Sequence, residues 1–132
     1  MVQTTVNFHK ARKRFGQNFL HNDGVIQRII DSINPQKAER LVEIGPGHGA
    51  LTEGLVTKGN ELDVIELDRD LIPALRLQFG LSPAFRIHEA DALKFNYSFL
   101  KTDDRYLRLV GNLPYNIGTP LIFYLLSFKG LI

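Results

Sequence analysis

Residues 41 to 56 constrain this chain more than any other stretch. Leu41-Val42-Glu43-Ile44 is short and β-prone, and it runs straight into Gly45-Pro46-Gly47-His48-Gly49. Behind that loop, Ala50, Leu51, Leu55 and Val56 recur at helical spacing. A strand that ends in a glycine-rich turn and opens a helix is the unit that places ligands at the carboxyl edge of an open α/β sheet. Glycines in such a turn let the backbone approach a ligand with no Cβ in the way.

The same alternation extends in both directions. Val25, Ile26, Ile29, Ile30 and Ile33 predict an amphipathic helix, with Asn22 or Asp23 as its N-cap and Asn34-Pro35 as its stop. Lys58-Gly59-Asn60 should end the helix behind the glycine loop. Residues 62 to 67 predict a second strand, and Leu71, Leu75 and Phe79 the helix that follows. Phe85-Arg86-Ile87-His88 and Leu107-Arg108-Leu109-Val110 are the third and fourth strand candidates. Thr119 as cap and Pro120 at the first position predict a last helix over residues 120 to 128. Together these elements imply an open parallel sheet with right-handed crossovers. Leu121-Ile122-Phe123-Tyr124-Leu125-Leu126 is too apolar to lie bare. It points to a longer protein of which this is the front part, to association, or to a terminal helix packed on the sheet.

At 132 residues and 44% hydrophobic, the chain can bury one domain core. The lack of Cys excludes a disulfide scaffold, and the apolar content with a net charge of only +2 excludes a disordered chain. That charge is unevenly spread. Lys10, Arg12, Lys13 and Arg14 precede the first acidic residue, Asp23, so residues 1–22 carry +4 and leave 12 basic against 14 acidic residues in 23–132. A basic arm on a slightly acidic body fits a polyanionic partner. No apolar signal region follows the arm, so secretion is not expected and a cytoplasmic location is. The strongly apolar run at residues 121 to 126 is far short of the roughly 20 residues a membrane span needs.

Glu66 lies 21 residues beyond Gly45 at the end of the second strand, where a carboxylate accepts hydrogen bonds from a ribose diol; otherwise it is a surface charge. The loop reads G-x-G-x-G rather than the dinucleotide fingerprint G-x-G-x-x-G. That spelling favours S-adenosylmethionine, which carries a cationic sulfonium and no pyrophosphate. Asp91, after the third strand, can accept from an adenine amino group or cap the segment behind it. The most informative segment is Asn112-Leu113-Pro114-Tyr115, after the fourth strand. An exocyclic adenine amine is a poor nucleophile because its lone pair is delocalised into the ring. Two acceptors at its two N–H groups turn the nitrogen tetrahedral and aim the lone pair. The Asn112 side-chain oxygen and the backbone carbonyl of Leu113 or Pro114 are such acceptors. Tyr115 offers a face on which an unstacked base can lie.

Taken together, Lys13-Arg14-Phe15-Gly16-Gln17-Asn18-Phe19-Leu20, residues 43 to 52 (EIGPGHGALT), 64 to 68 (VIELD), 89 to 93 (EADAL) and 111 to 123 (GNLPYNIGTPLIF) resemble the rRNA adenine N6-methyltransferase family. The spellings Gly45-Pro46-Gly47 and Thr119-Pro120-Leu121 are closer to its small-subunit N6,N6-dimethyltransferases than to its large-subunit resistance enzymes. The resemblance implies a Rossmann-like class I methyltransferase: an open, mostly parallel sheet with flanking helices, here ending after the fourth strand and its helix. Residues 1–22 would be a basic arm with a cofactor-closing segment, and residues 23–132 a partial cofactor-binding domain without the later strands and small helical domain. Asn18 and Leu20 would close over the methionine part of S-adenosylmethionine, with Gly45 beneath it, and Gly47 would also bind the cofactor. Glu66 would hold the ribose and Asp91 the adenine, while Asn112, Pro114 and Tyr115 form the methyl-transfer centre. Lys10, Arg12, Lys13 and Arg14 would meet RNA. The implied reaction methylates N6 of two adjacent adenines, twice each, in a hairpin near the 3′ end of small-subunit rRNA, within the pre-30S particle. Positioning does most of that work, without a strong general base. His48 and Gly118 replace the Leu and Ser usual in the family, and neither removes a named acceptor.

An RNA-binding assembly factor for the small subunit is the reading from another class, and the basic arm supports it. A dehydrogenase is disfavoured by the loop spelling. His9, His21, His48 and His88 show no metal-ligand spacing, so no metal is expected. Oligomeric state is open.

Overall fold

The computed structural model describes residues 21–56 and 60–132. Helix α1 (Asp23–Ile33) starts where Asn22 accepts a hydrogen bond of 3.0 Å from the Val25 N–H. It stops where Asn34 takes the left-handed conformation (φ 49°) ahead of Pro35. Four strands follow: β1 (Arg40–Ile44), β2 (Glu61–Glu66), β3 (Phe85–Glu89) and β4 (Leu107–Gly111). They are all parallel, in the order β3-β2-β1-β4. Helix α2 (Ala50–Val56) follows β1, and α3 (Ile72–Phe79), entered through a 3₁₀ turn at Arg69–Leu71, follows β2. A 3₁₀ turn (Tyr97–Leu100) precedes β4, and α4 (Tyr115–Leu125) follows it, running into a last 3₁₀ turn (Leu126–Phe128). The open parallel sheet expected from the alternation is therefore present.

Period-two alternation sends side chains to two cores, one on each sheet face. On one face Leu41, Leu62, Val64 and Phe85 meet Ile30, Leu51, Leu55, Leu75 and Phe79. On the other, Val42, Ile44, Ile65 and Leu107 meet Tyr97, Leu100 and Leu121. Each fully buried leucine contributes about 2 kcal/mol of transfer free energy. The second face also buries Asp63, which meets Arg40 (3.1 Å), Arg86 (2.9 Å) and His88 (2.9 Å). Burial pushes its pKa up, but the hydrogen bonds and charges of His88 and Arg86 outweigh it and hold the pKa below the usual range.

The last helix corrects the sequence expectation. It begins at Tyr115, with Pro114 at the N-cap, and passes through both Thr119 and Pro120. Pro114 is extended (φ −62°, ψ 148°), and its carbonyl accepts from the Ile117 and Gly118 N–H groups at 3.0 Å each, which nucleates the first turn early. Pro120 is thereby internal and offers no N–H to Asn116 four residues back. Asn116 and Pro120 are both exposed, so solvent can satisfy that carbonyl.

The apolar end is half covered. Leu121 is buried against the second core with Tyr124 and Leu125 beside it, while Ile122 (63%), Phe123 (68%) and Leu126 (57%) stay exposed. The chain then returns to the sheet, where the Leu107 N–H donates to the Leu131 carbonyl at 2.7 Å. No helix among the described residues is long and apolar enough to cross a membrane. Residues 57–59, where the helix after the glycine loop was expected to end, lie outside the described residues.

Candidate functional site

The strand register builds the site. Ile44, the last residue of β1, pairs with Ile65 on one side and Gly111 on the other, while Glu66 pairs with Glu89. The segments beyond these residues therefore leave the sheet together at its carboxyl edge: the glycine loop, Glu66 and its turn, the segment with Asp91, and the turn with Asn112. The Gly45 N–H donates to the Ile65 carbonyl (2.9 Å) and the Ala90 N–H to the Glu66 carbonyl (3.0 Å), extending the ladders one step.

Gly45, Gly47 and Gly49 all sit at positive φ (64°, 61° and 87°), a region that favours glycine. Ligand approach is not the whole reason for them. A Cβ on Gly49 would stand 2.8 Å from Phe79 Cε2, so this glycine lets α3 close on the loop. A Cβ on Gly45 would stand 3.4 Å from Leu113 Cδ2, so the acceptor turn reaches back over the loop.

Glu66 ties the loop to β2. Its buried carboxylate accepts from the Gly47 N–H at 3.1 Å and the Asp68 N–H at 2.9 Å. Burial pushes its pKa up, while the two backbone donors oppose that shift. A negative group thus occupies a donor that a pyrophosphate would need, and the loop suits a ligand without one. Asp91 is half-buried, and its Oδ1 accepts from the Leu93 N–H at 2.9 Å, the local capping role its sequence position also allowed.

Asn112, Leu113 and Pro114 are half-buried, and Tyr115 opens α4. The Pro114 carbonyl is committed to the Ile117 and Gly118 N–H groups. Of the two carbonyls named from the sequence, that of Pro114 is thus already engaged within α4. Lys10, Arg12, Lys13, Arg14, Asn18 and Leu20 lie outside the described residues. Among the described residues, no group of three or more metal-ligating side chains converges.

Residues 8–131 match the family model described as ribosomal RNA adenine dimethylase. The chain belongs to this family. It is 61% identical over 124 residues to the ribosomal RNA small subunit methyltransferase A of Hahella chejuensis, covering 94% of this chain and 45% of that protein. With the Pseudomonas aeruginosa protein of the same name the identity is 62% over 119 residues, covering 90% of this chain and 44% of that one. The chain thus spans less than half the length of these relatives. Among solved structures, the 23S rRNA methyltransferase ErmE superposes with a TM-score of 0.70 at 26% identity, covering 83% of this chain and 43% of that one. A dimethyladenosine transferase from Plasmodium falciparum gives 0.70 at 27%, covering 87% and 40%.

In this member of the family, sequence reasoning passed over two side chains at the candidate site. Glu43 is 2% exposed in mid-strand, where it accepts a 2.5 Å hydrogen bond from the Thr52 hydroxyl directly beneath the loop. Its signal was a lone acid in the apolar run Leu41-Val42-Glu43-Ile44. Leu113 gave no such signal, because only the fold brings it to Gly45.

Proposed function

We propose that this chain is the cofactor-binding and methyl-transfer part of a small-subunit rRNA adenine N6,N6-dimethyltransferase. The observation that carries the reading is the Ile44–Gly111 register, which sets the Asn112 turn beside the glycine loop on adjacent strands. Donor and acceptor sites are then held by one rigid sheet edge, as an in-line transfer requires.

The residues present fit S-adenosylmethionine. Gly45 and Gly47 would form the floor, Glu66 would take the ribose diol and Asp91 the adenine, and the Gly47 N–H is already engaged by the Glu66 carboxylate. When bound, this cofactor supplies a methyl group on a positively charged sulfur. The chain's own contribution is on the acceptor side. Asn112 Oδ1 and the Leu113 carbonyl each accept from one N–H of the target adenine, which points the N6 lone pair toward the loop. Pro114 would stiffen the turn, and Tyr115, whose side chain lies outside the described part of the structure, would stack against the base. Release of one amine proton per transfer goes to water, since no strong base is required.

The substrate in this reading is a pair of adjacent adenines in a 3′-terminal hairpin of small-subunit rRNA, met in the pre-30S particle in the cytoplasm. Lys10, Arg12, Lys13 and Arg14 would engage its phosphates, and Asn18 and Leu20 would close over the cofactor. Calorimetry of the chain with S-adenosylmethionine and with NAD tests the cofactor: preferential binding of NAD overturns it. Extending the chain to the length of its relatives and assaying methylation of 30S precursor rRNA tests the reaction. There, Asn112→Ala is expected to abolish transfer while cofactor affinity persists.

A further inference from the structure

Leu113 is the side chain that joins the two halves of the site. Its Cδ2 lies 3.4 Å from where a Cβ on Gly45 would stand, and its Cγ lies 3.4 Å from where one on Gly111 would stand. A Cβ on Gly111 would also meet the Ile44 carbonyl at 2.9 Å. Leu113 thus stands beside both the first residue after β1 and the last residue of β4, within van der Waals reach of a Cβ at either. The leucine packs onward against the core that contains Val42, Ile44 and Leu121. It therefore lies beside the loop while packing on the core at the end of β1 and under α4.

We infer that Leu113 is a positioning residue that couples cofactor occupancy of the Gly45 loop to closure of the acceptor turn. A ligand that settles on the loop fixes Gly45, and Gly45 fixes the leucine methyl that rests on it. The Leu113 backbone, which carries the proposed adenine acceptor, then has one position rather than several. The N–H groups of Ile117 and Gly118, both bonded to the Pro114 carbonyl at 3.0 Å, report that closure from outside the cofactor floor.

The inference rests on the cofactor reading above, and amide hydrogen exchange separates the two. S-Adenosylhomocysteine is added to the 132-residue chain, and exchange at Ile117 and Gly118 is followed alongside calorimetric affinity. In the parent, the ligand should slow exchange at both amides at least threefold. In Leu113→Ala, affinity should stay within threefold of the parent while that slowing falls below 1.5-fold. Leu113→Ile, which restores the volume, should recover it. A merely structural leucine would speed exchange equally with and without ligand and leave the ligand-induced slowing intact, which overturns the inference. Should Leu113→Ala fail to fold, Leu113→Val takes its place, and an undiminished slowing there is equally fatal. A parent that binds no S-adenosylhomocysteine removes the cofactor reading and this inference together. Normal binding with slowing that ignores residue 113 removes this inference alone.

Discussion

Thr52 donates its hydroxyl hydrogen to Glu43 across 2.5 Å, in a position that β1 and α2 seal from water. Burial favours the neutral carboxyl and pushes the pKa of Glu43 up to about 7; Thr52 opposes the shift and the charge of Glu66 adds to it. The folded state therefore binds a proton that the unfolded chain releases near pH 4.5. Stability from this group is complete below that pH and declines as pH rises towards 7, by on the order of 3 kcal/mol in total. Glu43→Gln keeps an acceptor for Thr52 and never ionises. Urea unfolding should show the variant about 2 kcal/mol more stable than the parent at pH 8 and nearly equal to it at pH 4.5. Parallel stability curves for the two proteins would show that Glu43 does not titrate in this range.

Glu66 holds two backbone donors and, in the function proposed above, the cofactor ribose, and truncation tests both roles. Glu66→Ala strands the N–H groups of Gly47 and Asp68, each of which donates to it. A buried donor left without its acceptor costs about 1–3 kcal/mol. That cost should appear in urea unfolding; if Glu66 also accepts from the ribose as proposed, affinity for S-adenosylhomocysteine should separately fall about 10- to 100-fold by calorimetry. Glu66→Gln should not restore it fully, since its amide group turns an N–H toward one of the two backbone donors.

Gly49 carries the clearest steric constraint in the loop. Gly49→Ala places a Cβ 2.8 Å from Phe79 Cε2 at a φ of 87°. Overpacking and backbone strain together should cost about 2–4 kcal/mol in urea unfolding. Adding Phe79→Leu removes the clash and leaves the strain. The double variant should therefore be less damaged than the sum of its parts, a non-additivity that a purely conformational role for Gly49 would not produce.

The sheet was legible in the sequence because each strand is a compact apolar run with turn residues behind it, and because the glycine loop announces its own place. The positions of Glu66 and Asn112 at strand ends were legible for the same reason, since a strand end needs no tertiary knowledge to locate. What escaped was set by contacts distant along the chain. Leu113 matters through Gly45, and Gly49 through Phe79. Glu43 was visible as a residue but not as a buried acid, because Thr52 covers it only once α2 folds back. The 3₁₀ turn at Tyr97–Leu100 lacks a long periodic pattern, yet Tyr97 is fully buried and its hydroxyl donates to the Ala92 carbonyl at 2.8 Å.

Pro120 misled for a definite reason, and that reason can be tested. Proline favours the first turn of a helix, and Thr119 before it is a good cap, so local preference starts the helix there. The Pro114 carbonyl starts it five residues earlier by capturing the Ile117 and Gly118 N–H groups, and Pro120 is left in the interior. An interior proline costs about 3 kcal/mol relative to alanine through its lost hydrogen bond and its clash with the preceding turn. Pro120→Ala gives Asn116 its missing donor at an exposed position. The variant should be stabilised by about 1–3 kcal/mol in urea unfolding, with more helix by circular dichroism. A proline at the first helical position would behave in the opposite way, because its missing N–H has no intrahelical partner to lose. A neutral or destabilising result would therefore return the start of α4 to Pro120.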